Sequence, residues 1–274
     1  MWWNTRHKAI FFLRNNAVEA ARIFRGAIED KRAFPFSESA LNEAFLEAVQ
    51  VYGVTGKVIC EEEVVYVFSL EVSEEILKDT ERLQERCAER FPEEITALVW
   101  DYQVLRREND NVLIQVSGIR KDFGEQLKKL FEVSHFSAEC VVPESYALAQ
   151  QFLGQGNIVV VQERQGKALL VHMNEGAVLS SQVVVEPASG APSFLEYVRW
   201  QPGREIQKIV YVDFPQETDF FAAEKNLQKE WIHLPEGAWL GVGKLSGYFK
   251  KASLVLDLKV PKPPFSWKKY FWKA

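Results

Sequence analysis

The sequence predicts an α/β protein of two lobes, each built on a mixed β-sheet. Three observations predict this class. Short apolar or alternating segments, typical of strands, alternate along the chain with amphipathic segments typical of helices. The second half, from about residue 157, opens with three closely spaced strand segments, as the first half does. The 274 residues are 47% hydrophobic and 26% charged, which is ordinary for a folded globular protein and excludes a disordered or collagen-like chain.

The first half opens with a predicted meander of strands. Residues 8–24 contain the segments KAIFFLR and AVEAARIFR on either side of Asn15 and Asn16. Asparagine tolerates a positive φ, so this pair suits the tight turn of a hairpin. A third short strand is expected near residues 32–34, and an amphipathic helix that continues to about Tyr52 comes after it.

A β-α-β-β-α unit is then predicted as an insertion. Its two central strands are joined by the polar turn RREND, which is typical of a hairpin. After a buried strand at 57–60, the expected elements are a strand at 64–72, a helix from 73 to about 90, strands at 97–105 and 111–119, a helix at 121–132, a strand at 136–142 and a helix at 143–154.

The second half is predicted to repeat the opening of the first. It is expected to contain strands at 157–163, 168–173 and 177–185, a loop at EPASGAPS, a helix at 193–200, a strand at 206–213 and a helix at 219–230. Two halves that each open with a three-stranded meander and continue into helix–strand units are typical of the actin-like fold. The predicted domains are a first lobe at 1–63 plus 133–156, an inserted unit at 64–132, a reduced second lobe at 157–260 and a tail at 261–274.

Charge and cysteine content exclude several classes of function. A net charge of −5 argues against a nucleic-acid binder, because contacts to phosphates need a basic surface. The three cysteines are far apart and the four histidines are isolated, so neither a disulfide framework nor a metal site is expected. The apolar run near the N terminus is too short for a signal sequence or a membrane span, so a cytoplasmic protein is expected.

Two further segments carry chemical motifs for which we favour a structural interpretation. Glu61, Glu62 and Glu63 lie between two predicted strands, and such a run is usually a solvated turn. Residues 238–245 nearly fit a phosphate-binding P-loop, but Leu245 stands where that loop needs a serine or threonine to hold magnesium. We therefore expect a glycine-containing turn there, and we assign no catalytic residue.

The tail at 261–274 reverses the sign of the charge. It contains lysines and aromatic residues and no acid. Tryptophan and tyrosine favour the membrane–water interface, and each lysine near an anionic leaflet contributes about 1 kcal/mol. We expect Trp267, Lys268, Lys269 and Trp272 to contact the inner leaflet. In the alternative, the aromatic side chains fold back onto the domain and the lysines keep it soluble.

One stretch of the inserted unit is similar to a known family. The segment FPEE at 91–94, together with VWDYQVL at 99–105, resembles the corresponding segment of the PilM family of type IV pilus assembly proteins, actin-like relatives of the cell-division protein FtsA. Residues 111–150 resemble the next strand, helix, strand and helix of that family. The resemblance extends over roughly residues 8–255 and implies an actin-like fold of two lobes with a small inserted subdomain.

The resemblance also implies a partner. PilM-like proteins are cytoplasmic and bind the short cytoplasmic tail of a PilN-like membrane protein, and the cytoplasmic part of the type II secretion protein GspL is a similar domain. We therefore expect a protein peripheral to the inner membrane, with a pilus assembly ATPase or platform complex as further partners. Because edge strands recruit extended peptides, the candidate contacts for the PilN-like tail are Val99, Trp100, Tyr102 and Val104.

The nucleotide motifs of the family are degenerate in this chain. Where the resemblance implies Asp, Gly and Lys in the first phosphate loop, the sequence has Phe12, Arg14 and Glu19. In the second loop, Gln162 and Arg164 replace Asp and Gly. A phosphate loop needs glycine for close backbone approach and a carboxylate for magnesium, and these residues supply neither. The resemblance therefore predicts a pseudo-ATPase scaffold without a cofactor. The alternative is an active ATPase of the actin-like superfamily.

Overall fold

The computed structural model describes residues 8–25, 27–37, 40–164, 166–199, 205–234 and 237–244. Its strands are β1 (Lys8–Leu13), β2 (Ala17–Phe24), β3 (Ala27–Pro35), β4 (Thr55–Cys60), β5 (Val65–Ser73), β6 (Leu98–Glu108), β7 (Asn111–Arg120), β8 (Ser137–Pro143), β9 (Asn157–Arg164), β10 (Lys167–Asn174), β11 (Ala177–Val184), β12 (Lys208–Val212) and β13 (Gln228–Ile232). Its helices are α1 (Leu41–Tyr52), α2 (Glu74–Lys78), α3 (Thr80–Ala88), α4 (Lys121–Val133), α5 (Glu144–Ala149), α6 (Pro187–Arg199) and α7 (Gly237–Lys244).

The first sheet has the strand order β3-β2-β1-β4-β8. Strands β1, β2 and β3 form an antiparallel meander, whereas β4 is parallel to β1 and β8 is parallel to β4. Phe11 of β1 faces the main core and Phe12 faces a second cluster on the opposite side of the sheet. This burial on both faces explains why the segment KAIFFL is apolar without alternation.

The second half of the chain repeats this arrangement in the order β11-β10-β9-β12-β13. Strands β9, β10 and β11 form an antiparallel meander, β12 is parallel to β9, and β13 is parallel to β12. Helix α6 connects β11 to β12 as α1 connects β3 to β4. The prediction of an α/β protein with two related mixed sheets is therefore confirmed.

The inserted strands extend the second sheet, which the sequence does not predict. The complete order of this eight-stranded sheet is β13-β12-β9-β10-β11-β5-β7-β6. Strand β5 pairs with β7 along its whole length, but it meets β11 through a single residue pair, Phe68 and Ser180. The unit that interrupts the first half is thus attached to the sheet of the second half. The predicted domain boundaries stay predictions.

The main hydrophobic core lies between the two sheets and contains residues of both halves. Phe11, Phe45, Phe131 and Phe136 form an aromatic group in it, with neighbouring ring centroids 4.9–5.7 Å apart. The outer face of the second sheet is covered by α6, which buries Phe194 among other residues. Burial of this kind stabilises a fold by about 25 cal/mol per Å² of apolar surface.

Helices α5 and α7 pack against each other at the junction of the two halves. Each comes after the last parallel strand of its half, α5 after β8 and α7 after β13. They approach closely at Gly241, where an added Cβ would overlap the carbonyl oxygen of Ala147. The predicted glycine-containing turn at 238–245 is therefore wrong over its described part, because residues 237–244 form a helix in which glycine permits this contact.

The predicted helix at 219–230 is also wrong. Residues 213–227 form turns, and 228–232 form strand β13. A polar network fixes this path: the Tyr211 hydroxyl donates to Asp219 at 2.7 Å, and Lys229 Nζ donates to the same carboxylate at 2.6 Å. The ring of Trp231 on β13 stacks on Tyr211 with centroids 5.0 Å apart. These contacts with β12 override the local pattern of apolar residues.

Smaller corrections concern element boundaries. The single helix predicted from 73 to 90 is two helices, because Asp79 accepts hydrogen bonds from the backbone N–H groups of Glu81 and Arg82 at 3.2 Å and caps a new helix. Most of the predicted loop EPASGAPS lies inside α6. The third strand is longer than residues 32–34. The turn at Asn15 forms without a positive φ and is closed by an Arg14 N–H to Ala17 carbonyl hydrogen bond of 3.0 Å.

Within the part of the chain that the structure describes, none of the helices combines the length and the apolar character needed to cross a membrane.

Candidate functional site

The two hairpin turns that the resemblance identifies with phosphate loops lie near each other between the halves. Arg14 comes directly after β1, and Arg164 is the last residue of β9, at the equivalent position of the repeat. Charged residues from β2, β3, β10, α5 and the segment directly after β4 converge on these turns. We call this group the cleft cluster; it consists of Arg14, Glu19, Lys31, Glu61, Glu62, Glu63, Glu144, Arg164 and Lys167.

At the first turn, a carboxylate of the chain accepts a backbone N–H group of the kind that binds phosphate in a phosphate loop. The N–H of Asn15 donates to Glu61 Oε2 at 3.0 Å, and Arg14 Nη1 lies 3.2 Å from Glu61 Oε1. Arg14 Nε also donates to Glu19 Oε1 at 2.8 Å. Lys31 pairs with the second oxygen of Glu19 at 3.1 Å. The turn is thus held by internal ion pairs.

Phe12 places an aromatic ring where the resemblance expects an aspartate. Its side chain is fully buried, and its ring meets that of Trp239 on α7 edge to face at 5.7 Å. The guanidinium of Arg14 lies over the same ring, 4.0 Å from its centroid. An apolar ring offers no ligand to magnesium, so this position is built for packing and a cation–π contact.

Glu62 links the two halves through its carboxylate. One oxygen accepts the backbone N–H of Ser145 at the start of α5, at 3.1 Å. The other accepts the hydroxyls of Ser145, at 2.7 Å, and of Ser181 on β11. Burial raises the pKa of Glu62 above its ordinary value, against the opposing effect of the hydrogen bonds from both serines and of nearby Arg164.

At the second turn, Arg164 is surrounded by carboxylates. Its guanidinium pairs with Glu144, whose carboxylate is buried, and lies 3.8 Å from Glu63. Lys167 also pairs with Glu63, at 3.2 Å. Burial lowers the pKa of Arg164 to about 10, assisted by Arg14 and opposed by the neighbouring glutamates. The remaining predicted position, Gln162, is buried beside it on β9, and its Oε1 has no hydrogen-bond partner among the described residues.

The cations of the cleft cluster pair with carboxylates of the same cluster. Its cations are Arg14, Lys31, Arg164 and Lys167, and its carboxylates are Glu19, Glu61, Glu62, Glu63 and Glu144. An added polyphosphate would have to displace carboxylates from both arginines, which would leave buried acidic groups without partners. The arrangement can hold the two halves together.

The structure brings Phe12, Arg14, Glu19 and Arg164 together, with Gln162 two residues before Arg164 on β9. It also adds residues that sequence reasoning misses. The expectation that Glu61 to Glu63 form a solvated turn is wrong for Glu61 and Glu62, which are buried. Glu144 is absent from the predicted site. The sequence does contain a signal for these partners. Three acids come directly after an apolar strand, and both turns that correspond to phosphate loops carry an arginine with which such acids could pair.

The predicted partner-binding residues lie on β6, which forms one edge of the eight-stranded sheet. Trp100 and Tyr102 pack on the small cluster around Phe68, Val99 packs against the main core, and Val104 is exposed. The backbone N–H of Tyr102 donates to the carboxylate of Asp101 at 2.7 Å. The role of these residues as partner contacts stays a prediction.

The predicted membrane contacts, Trp267, Lys268, Lys269 and Trp272, lie outside the described residues. Among the residues that are described, no group of three or more His, Cys, Asp or Glu side chains has the arrangement of a metal site.

The duplicated sheet order, with a cleft between the two halves, defines an actin-like fold, and solved structures confirm it. The PilM–PilN type IV pilus biogenesis complex contains a similar chain, with a TM-score of 0.64 and 12% identity over 85% of this chain and 90% of that one. The cytoplasmic domain of EpsL, an inner-membrane component of the type II secretion system of Vibrio cholerae, is similar with a TM-score of 0.62 and 10% identity, over 87% of this chain and 94% of that domain.

A third similar structure is a Bacteroides thetaiotaomicron protein with an actin-like ATPase fold and unknown function. It has a TM-score of 0.56 and 12% identity, over 86% of this chain and 96% of that one. No protein-family model matches the sequence. No curated protein matches it either. The chain therefore has an actin-like fold that resembles PilM and EpsL in structure.

Proposed function

We propose that this chain is a non-catalytic, actin-like scaffold in the inner-membrane platform of a type IV pilus or a related type II secretion system. In this proposal it binds the cytoplasmic tail of a PilN-like membrane protein and hydrolyses no ATP. The observation that carries the proposal is the cleft cluster, in which internal carboxylates form ion pairs with the arginines of both turns. The PilM–PilN complex and the EpsL domain among the similar structures support the cellular setting.

The cleft cluster supports a scaffold because it fixes the relation between the two halves. Glu62 on the first half binds Ser181 on the second, and Lys167 on the second half pairs with Glu63 on the first. In a nucleotide-driven cycle, the bound phosphate compensates the cations of the cleft, and the cleft rearranges when the nucleotide leaves. Here the compensating charges belong to the chain, so a single closed arrangement is favoured without ligand.

Strand β6 is the docking strand for the PilN-like tail in this proposal, because it lies at an edge of the sheet. An edge strand offers unpaired backbone groups to an extended peptide, and side chains on alternate positions give specificity. On β6 the aromatic side chains of Trp100 and Tyr102 lie on one face and are only partly buried. Pilus assembly ATPases or platform proteins are the further partners in this proposal.

The partner is tested by the binding of a labelled peptide comprising the N-terminal cytoplasmic residues of a PilN-like membrane protein. We expect saturable binding, weakened about tenfold or more by Trp100→Ala with Tyr102→Ala, because aromatic anchors dominate such interfaces. Val104→Lys, at an exposed position of the same strand, should weaken binding without removing core packing. Gln228→Ala, exposed on the opposite edge strand, is the control. Unchanged affinity in folded β6 variants would place the tail elsewhere.

The basic tail is the second membrane signal in this proposal, with the membrane partner as the first. Binding through a few lysines is reversible and is screened by salt. We expect the full chain to sediment with anionic vesicles at low salt and to be released as the salt concentration rises. A chain ending at Val260 should remain in the supernatant. Equal sedimentation of both chains would show that the tail makes no electrostatic contact with the membrane.

A further inference from the structure

The seam between β11 and β5 opens on one side into a groove. In the antiparallel register set by Ser180 and Phe68, residues 181–183 would continue to face residues 65–67. The two strands diverge instead, and the space between them has a volume of about 470 Å³. On the other side of the same residue pair the seam is closed, because Ser69 Oγ and Gln115 Nε2 both donate to the carbonyl oxygen of Val178, at 2.6 and 2.9 Å.

The strand edges that face this groove are open. Residues 65–67 pair with β7 on their far side, and residues 181–183 pair with β10 on theirs. Each strand therefore has one side of its backbone directed toward the groove without a neighbouring strand. Two open edges that face each other are a template for one further strand.

The walls of the groove suit apolar side chains. They are formed by Val65, Val67 and Phe68 of β5, Val183 of β11, and Phe194 and Tyr197 of α6. Ser180 lies at the point where the strands diverge; it is almost fully buried, and its hydroxyl has no hydrogen-bond partner among the described residues. A buried hydroxyl without a partner is unfavourable, and a backbone group that entered the groove would satisfy it.

The cation at the mouth of the groove is Arg90. Arg90, which is exposed at the mouth, donates from Nη2 to the Tyr197 hydroxyl at 3.0 Å and forms no ion pair with a described residue. The acids at the inner end, Glu62 and Glu63, are already engaged within the cleft cluster. An acidic group on a ligand would therefore be attracted to the mouth of the groove.

We propose that this groove binds an extended segment of a partner protein, which enters as an additional strand between β11 and β5. The segment has apolar side chains at alternate positions and an acidic residue that pairs with Arg90. Backbone hydrogen bonds to the open edges provide affinity, and the apolar walls contact every second side chain of the segment and so provide specificity. The proposal does not depend on the PilN-like partner, because β6 is separated from the seam by β5 and β7.

The experiment selects binders from a displayed library of random linear peptides, using the full chain as bait. We expect enriched sequences with alternating apolar residues and an acidic residue at a fixed position. The same selection on Arg90→Glu should enrich a basic residue at that position. An enriched acidic peptide should bind Arg90→Glu about tenfold more weakly, because a favourable charge pair becomes a repulsive one. Lys78→Glu, at an exposed cation of the same inserted unit outside the groove, is the matched control and should change nothing.

Hydrogen exchange locates the bound peptide. The expected result is slower exchange of backbone amides within residues 65–68 and 180–183 when the enriched peptide is added. Failure to enrich alternating acidic peptides, enrichment of the same sequences by the wild type and Arg90→Glu, or protection confined to other segments would each overturn the proposal.

Discussion

At the scale of single residues, Glu62 links the two halves of the chain through a buried carboxylate. Its carboxylate accepts hydrogen bonds from Ser145 and Ser181, which lie on different halves of the chain. A carboxylate in this place carries the kind of charge that a phosphate would bring, but it is covalently part of the segment that leaves β4. The neighbouring Arg164 and Glu144 compensate each other in the same buried space. Removing one partner of such a pair costs about 3–5 kcal/mol, so single substitutions within it are expected to be strongly destabilising.

The raised pKa of Glu62 predicts a dependence of stability on pH. Because this carboxyl has a higher pKa in the folded protein than in the unfolded chain, folding binds a proton between the two values. The contribution of Glu62 to the free energy of unfolding therefore falls as the pH rises above about 4.5, the ordinary pKa of a glutamate. Glu62→Gln is uncharged and retains a carbonyl oxygen for the Ser145 N–H. We expect this variant to become more stable relative to wild type as the pH rises.

Urea unfolding measured from acidic to slightly alkaline pH tests this prediction. Glu132→Gln, at an exposed position of α4, serves as the control and should follow the wild-type profile. Parallel profiles for wild type and Glu62→Gln would contradict the burial of a titrating carboxyl at this position.

At the scale of secondary-structure elements, the contact between α5 and α7 depends on glycine. Because an added Cβ at Gly241 would meet the backbone of α5, Gly241→Ala must separate the two helices. We expect a loss of about 1–3 kcal/mol in the free energy of unfolding, as for overpacked cores. Gly124→Ala on α4 is the matched control, because its added Cβ would meet the flexible end of Ile119 at 3.3 Å. That change should be nearly neutral, since alanine is the better helix former. Equal effects of the two substitutions would contradict the close contact.

Strands and helices differ in how far the sequence predicts them. Strands that are buried on both faces, such as β1 and β9, are mostly apolar runs. The local sequence therefore already predicts a strand, and the long-range contacts agree with it. The sequence pattern predicts a helix that includes the first three residues of strand β13, because residues 228–230 are polar and the parallel partner β12 is about twenty residues away. Local propensity is a weak signal where pairing with a distant strand decides the conformation.

At the scale of the whole molecule, the duplicated order of elements was predictable and the composition of the cleft was only partly so. Three strand segments at the start of each half indicate a repeat, and the structure gives both halves the same strand order. The degenerate positions at Phe12 and Arg164 could be identified from the resemblance. Their compensation by Glu61 and Glu144 could not, because those partners come from separate elements and meet only in the folded cleft.

The central claim is that the cleft holds the chain's own ion pairs in place of a nucleotide. Isothermal titration of the full chain with ATP and magnesium measures this most directly. We expect no binding heat beyond dilution and no release of phosphate above the protein-free rate. The reason is that ATP would have to displace Glu61 from Arg14 and Glu144 from Arg164. A micromolar dissociation constant that requires magnesium would contradict the account and restore the active ATPase as the function.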